Sequence, residues 1–240
     1  MGSSSIIPTL LISYFLIPIA FSIVQDSYLA HICSDTAGKG TAYKLSLKHL
    51  VEDLVAHAPS NDGFRKNISD QQSSHHPAYG LALCRGYLPV DECTSCLTKA
   101  TLTVTNTYCP HSRGAIIWRD LCMFKYSDVD FLGQIDTDNS FSFSSMDTVC
   151  NYEIFSKTAK ELFGNLSKNA IAIPMEFADL DIQVPCANGN KTLHGMVQCT
   201  RDLSVDDCME CLNHAISFLT FHKNSERVVY GSCNLEYETT

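Results

Sequence analysis

The sequence predicts an α+β protein built from two tandem, disulfide-stapled domains. Three observations carry that prediction: an internal repeat, apolar positions at helical spacing interspersed with short strand-like runs, and an even count of 12 cysteines in 240 residues.

The repeat comes first. Residues 79–97 (YGLALCRGYLPVDECTSCL) align without a gap on residues 194–212 (HGMVQCTRDLSVDDCMECL), an offset of 115 with eight of nineteen positions identical. Cys84, Cys93 and Cys96 fall on Cys199, Cys208 and Cys211, both sets spaced C-x8-C-x2-C, and Cys122-Met-Phe-Lys-Tyr126 echoes Cys233-Asn-Leu-Glu-Tyr237. Each half holds six cysteines. Residues 28–127 and 147–240 are therefore expected as homologous domains, joined by the polar stretch 128–146, whose apolar residues Phe131, Leu132, Phe141 and Phe143 suit a rigid junction.

Within each half the elements follow in order. Leu47, Leu50, Val51 and Leu54 recur at helical spacing, and Phe155, Leu162, Phe163 and Leu166 do so in the second half. A second helix follows the central cysteine, with Ser204 and Asp207 as its capping box and Leu212, Ala215, Ile216 and Leu219 as its buried stripe. Gly114-Ala-Ile-Ile-Trp and Arg227-Val-Val-Tyr read as strands. Trp118 reads as core or sheet surface, and His194, in the place of Tyr79, as a packing residue.

Residues Ile6 to Val24 are uncharged and largely apolar, and Gln25-Asp26 ends the run. The segment is expected to be a secretory signal peptide spanning residues 1–27; an uncleaved anchor is the competing reading, weakened by Pro8 and Pro18. No second long apolar run follows, so the mature chain is expected to lack a membrane span. The sequons at Asn67, Asn165 and Asn190 fit that route as glycosylation sites. Lys and Arg total 17 against 26 Asp and Glu, a net charge of -9, which argues against a nucleic-acid partner.

The C-x2-C pairs invite zinc or thioredoxin-like chemistry. Zinc would leave eight cysteines unused, and a redox pair should be isolated rather than set in a repeated three-cysteine pattern, so structural disulfides are the expected use. No HExxH, GxSxG or phosphate-binding loop occurs, the His75-His76 pair lies in a polar loop, and no carboxylate spacing marks a glycosidase. Neither an enzyme, nor a cofactor, nor a metal site is expected.

The duplicated C-x8-C-x2-C pattern behind a signal peptide resembles the plant cysteine-rich repeat secretory proteins, built from the ginkbilobin-type (stress-antifungal) domain. The resemblance covers roughly Tyr28 to Glu238 and implies, for each domain, two helices on a five-stranded antiparallel sheet. It further implies the disulfides Cys33–Cys109, Cys84–Cys93, Cys96–Cys122, Cys199–Cys208 and Cys211–Cys233. The second domain departs from the pattern: the segment after Leu219 is short and lacks its cysteine, and Cys186 is extra, leaving Cys150–Cys186 as the remaining pair.

The resemblance also implies a mannose site made of an Asn after the first cysteine, an Arg six before the last and a Glu five after it. In the second domain these are Asn151, Arg227 and Glu238; in the first they are Ser34, Ile116 and Ser127. Amide, guanidinium and carboxylate together can donate to and accept from adjacent sugar hydroxyls, with Tyr230 or Tyr237 as an apolar face. The competing reading makes Arg227 and Glu238 an exposed cross-strand ion pair. The expected function is a secreted, apoplastic defence-related module of antifungal type, with mannose or mannose-rich glycans as partner. The alternative is an apoplastic protein-interaction module that binds cell-surface proteins or itself.

Overall fold

The computed structural model describes residues 26–34, 38, 40–70, 76–187 and 189–240. Residues 1–25 of the expected signal peptide, and His75, lie outside the described residues; His76 is exposed.

The first domain runs β1 (Tyr28–Cys33), α1 (Thr41–His57), β2 (Phe64–Ser69), β3 (Ala78–Cys84), α2 (Val90–Thr103, prolonged by one π turn), β4 (Ala115–Arg119) and β5 (Cys122–Ser127). The second runs β6 (Ser140–Ser144), α3 (Tyr152–Ile171), β7 (Phe177–Cys186), β8 (Gly189–Cys199), α4 (Val205–Ser217), β9 (Ser225–Tyr230) and β10 (Cys233–Thr239). The sheets are ordered β1-β4-β5-β3-β2 and β6-β9-β10-β8-β7, the same permutation twice, with every neighbouring pair antiparallel. Each is a five-stranded sheet carrying two helices, an α+β fold.

The stretch expected as a polar joint turns out to carry a strand. Its Ser-Phe-Ser-Phe-Ser run has the two-residue period of a half-exposed strand, and β6 pairs along β9 from Ser140↔Tyr230 to Ser144↔Glu226.

The apolar stripes bury as their spacing predicts. Leu47, Leu50 and Leu54 of α1 and Leu97 and Ala100 of α2 meet Ala82, Ile117 and Phe124 on one face of the first sheet. In the second domain Leu162, Phe163 and Leu166 of α3 and Leu212 and Ala215 of α4 meet Leu193, Val197, Val228 and Leu235. The repeat's shared glycine has a steric cause: a Cβ on Gly80 would lie 2.8 Å from Leu50 and one on Gly195 2.7 Å from Leu162, where α1 and α3 press on their sheets.

Six disulfides staple these layers. Cys84–Cys93 and Cys199–Cys208 tie strand ends to helix starts, while Cys96–Cys122 and Cys211–Cys233 tie the same helices to the central strands. The third bridge differs between domains: Cys33–Cys109 joins β1 to the turn after α2, whereas Cys150–Cys186 joins the entry of α3 to the end of β7. Each should contribute about 2–4 kcal/mol.

The helix-free faces of the two sheets meet. Leu81, Leu83, Ile116, Trp118 and Met123 from the first sheet bury against Val229 of the second, with Phe131, Leu132 and Phe143 packed around them. Trp118 is 2% exposed and its Nε1–H donates to the Tyr230 carbonyl at 3.0 Å. Gln198 reaches across to the Cys84 carbonyl at 3.0 Å. Lys125 is buried and pairs with Asp136 at 2.6 Å; Asp136 in turn fills the space beside Gly231, where a Cβ would collide with its carboxylate at 2.0 Å.

Candidate functional site

Strand alternation sets the site. Along β10, Leu235 and Tyr237 enter the helix-side core, which turns Asn234, Glu236 and Glu238 to the opposite face. Antiparallel register then builds rows across that face: Glu238 is opposite His194, which is opposite Asp181; Glu236 is opposite Met196, which is opposite Asp179, and is flanked on β9 by Arg227. These rows form one wall of an open groove of about 810 Å³, and Leu29, Arg85, Tyr87, Asp120 and Leu121 of the first domain form the other.

Four charges cross the groove's inner end in alternating sign. Arg85 grips Glu236 with both terminal nitrogens, the Nη2–Oε2 contact at 2.8 Å. Arg227 places Nε against the same Glu236 and Nη1 against Asp120 of the first domain. Burial by itself would raise the Glu236 carboxyl; the hydrogen bond and charge of Arg85, with the charge of Arg227, outweigh it and hold Glu236 below the usual carboxylate range. Glu236 conversely pushes Arg85 upward against its own burial.

The outer end is different. His194 Nδ1 lies 2.6 Å from Asp181 Oδ1 and its Nε2 lies 3.2 Å from Thr240 Oγ1, while Glu238 and Asp179 stand exposed. His194, read from sequence as a packing residue, is thus a half-buried polar residue of the groove wall; strand register, not local composition, put it between two carboxylates.

Of the three positions implied for sugar binding, Arg227 and Glu238 line this groove and Asn151 does not. Asn151 is the N-cap of α3, its side chain accepting from the Ile154 N–H at 3.3 Å, next to a Tyr152 ring stacked on His222 at 3.8 Å. Arg227 is ion-paired with Glu236, not with Glu238 as the simple cross-strand reading had it, because Glu236 is its direct register partner and Glu238 faces Ser225. Tyr237 points to the core, where its hydroxyl donates to Glu226 at 2.8 Å; Tyr230 is 1% exposed. Neither offers the groove a ring face.

The cysteines hold no thiolate. The two members of each C-x2-C pair join different partners, and the two clusters with metal-ligand spacing, His31/Cys33/Cys109 and Glu176/Cys199/Cys208, rest on disulfide sulfurs. Of the sequon asparagines, Asn67 is half-buried on β2, Asn165 is exposed on α3 and Asn190 is exposed at the β7–β8 hairpin.

The sequence relatives agree with this architecture. The family model described as salt stress response/antifungal matches residues 32–129 and again 144–240. The chain is 39% identical over 221 residues to the antimicrobial ginkbilobin-2-like protein of Castanea crenata, covering 91% of this chain and 85% of that one. It is 36% identical to cysteine-rich repeat secretory protein 38 of Arabidopsis thaliana, covering 89% and 85%. Among solved structures, the tandem DUF26 ectodomain of the Arabidopsis thaliana receptor-like protein PDLP8 shares the fold with a TM-score of 0.74 at 22% identity, covering 89% of this chain and 98% of that one. With two copies of the sheet, two copies of the cysteine framework and two family matches, the chain belongs to the salt stress response/antifungal family.

Proposed function

We propose that this protein is an extracellular, non-enzymatic recognition module of the antifungal type that holds mannose or a mannose-rich glycan in the groove between its domains. The observation that carries the reading is that Arg227 and Glu238 line one groove together with Asp181, His194 and Tyr87. Exposed carboxylates accept from adjacent sugar hydroxyls, His194 offers a donor or an acceptor, and Tyr87, 56% exposed, offers a ring face. Export is supported by the apolar segment 6–24, by the fully paired cysteines and by relatives named as secretory proteins. No helix among the described residues is long and apolar enough to cross a membrane. On that route the exposed Asn165 and Asn190 are more accessible glycan acceptors than the half-buried Asn67.

Calorimetric titration of the oxidised, secreted protein with mannose and a mannose oligomer tests the reading. Glu238→Ala should weaken binding at least about tenfold without changing the unfolding midpoint. Arg227→Ala is a poorer probe because it also breaks domain docking, and Asn151→Ala should change α3 stability rather than affinity. No heat from a folded parent would remove the sugar reading. It would favour the second one, a protein-recognition module without sugar, which one observation supports already: the Arg227 guanidinium is taken by Asp120 and Glu236.

A further inference from the structure

Two buried carboxylate oxygens near the domain junction lack a hydrogen-bond partner: Glu176 Oε2 and Asp202 Oδ1. Leaving either orphaned is costly, and a proton on Glu176 removes the charge that makes its burial most costly. Glu176 occupies the turn between α3 and β7 with a left-handed backbone (φ 49°), fixed by its N–H to the Ile173 carbonyl at 3.1 Å and by its carbonyl, which accepts from Cys199 at 2.9 Å. Asp202 spends its other oxygen on the Gly133 N–H of the inter-domain joint at 2.8 Å.

The residues next to each carboxyl grip the first domain. Phe177 meets Tyr87 edge-on at 5.8 Å and occupies the space above Gly86, where a Cβ would lie 2.5 Å from its ring. Arg201 donates to the Asn61 carbonyl at 3.3 Å and lies 5.6 Å over the Phe64 ring.

We propose that Glu176, set beside Asp202 at the domain junction, acts as an acid-closed latch that holds the second domain on the first and loosens as the surroundings become alkaline. The charged groups facing Glu176 are Asp202 and Arg201 from the β8–α4 turn; Tyr87 of the first domain reaches the same turn through Phe177, and the Cys199–Cys208 sulfurs nearby do not titrate. Burial, then the like charge of Asp202, push Glu176 up to about 7, and Arg201 offsets only part of this. A folded-state value above the ordinary 4.5 means the folded state holds its proton more tightly than the unfolded chain. Docking is then fully supported below about 4.5 and is lost as pH rises through about 7. The groove is walled by both domains, so its width follows the latch whatever its ligand.

The molecule carries its own reporter, since Trp118 is the single tryptophan and its indole N–H bonds across the junction. In the full oxidised chain, Trp118 emission should shift to the red and the unfolding midpoint should fall by roughly 5 °C between pH 5 and 8.5. Glu176→Gln should remove most of both changes, and Asp202→Asn should move them to lower pH. A Glu176→Gln protein that tracks the parent, or a parent whose Trp118 emission does not respond, would overturn the latch. If Glu176→Gln fails to fold, carbon-13 NMR of the parent's Glu176 carboxyl decides: a midpoint near 7 supports the latch and one near 4.5 overturns it.

Discussion

The two domains share a sheet order, a glycine under the first helix and two of three disulfides, yet they use the helix-free face of that sheet for opposite ends. In the first domain this face is largely apolar, with Leu81, Ile116, Trp118 and Met123 buried at the junction and Lys125 neutralised by Asp136. In the second, the rows of Asp181, His194 and Glu238 and of Asp179, Glu236 and Arg227 stay polar and open to the groove. Repeat-equivalent positions carry the divergence: Ile116 stands where Arg227 does, Ser127 where Glu238 does, and Tyr79 where His194 does. Apart from Ala115, where Glu226 stands, the positions facing the helices stay apolar in both copies, while those on the opposite face have changed character.

The domains also differ in what replaced a lost staple. The first anchors its late loop with Cys33–Cys109. The second lacks that cysteine, and the buried Glu226, at the position of Ala115, holds the shortened loop instead. Its carboxylate accepts from the Thr220 N–H at 2.9 Å, the Phe221 N–H at 2.8 Å, the Thr220 hydroxyl and Tyr237.

Four predictions test this contrast, in descending order of expected effect. Trp118→Ala should cost about 3–5 kcal/mol, by cavity and by loss of its bond to Tyr230, and should split one denaturant transition into two as the domains uncouple; a single unshifted transition would show that the apolar face does not couple them. Glu226→Ala should cost about 2–4 kcal/mol, since four donors lose their acceptor, two of them in buried hydrogen bonds. Comparison with the Cys33→Ala/Cys109→Ala double variant by urea midpoint asks whether hydrogen bonds have replaced the bridge; a loss below about 1 kcal/mol for Glu226→Ala would answer no.

The third prediction concerns acid. Glu236 and Asp136 both sit below the usual carboxylate range, Glu236 through Arg85 and Arg227 and Asp136 through Lys125, each against the upward push of burial. Their contribution is present above the ordinary carboxylate range and is lost as pH falls through their lowered values, the reverse of Glu176. Glu236→Gln should therefore flatten the acid limb of stability below the ordinary carboxylate range while leaving the alkaline limb unchanged. An acid limb as steep as the parent's would place that dependence elsewhere. The smallest effect, about 1 kcal/mol, is expected from Ser204→Ala. Ser204 accepts from the Asp207 N–H at 3.1 Å and donates to the Asp207 carboxylate, whereas α2 begins at Pro89 with no side-chain cap. Ser204→Pro, copying the first domain, should then recover part of the loss in thermal unfolding; a further loss would mean that the two helix starts are not interchangeable.

Much of the fold was legible because it is written in local periods. The 3.6-residue stripes of α1, α3 and α4, the strand at Ala115–Arg119 and the duplicated cysteine spacing each lie within a short window of chain. The β6 strand was legible too in its Ser-Phe alternation, but its polar composition read as a joint. The candidate site was less so. Its defining contacts, Arg85 with Glu236 and Arg227 with Asp120, span sequence separations of 151 and 107 residues, and no window contains both partners.

From sequence alone followed the duplication, the helix and strand types, and the chemistry of paired cysteines, because propensity, periodicity and repeat identity are properties of neighbours along the chain. Tertiary structure alone decided that Trp118 bridges two domains, that Arg227 is held by carboxylates from both, and that Asn151 caps a helix outside the groove. The physical reason is common to all three. A side chain's use is set by which face its strand presents and what the other domain brings against that face, and both are fixed only when the sheets dock.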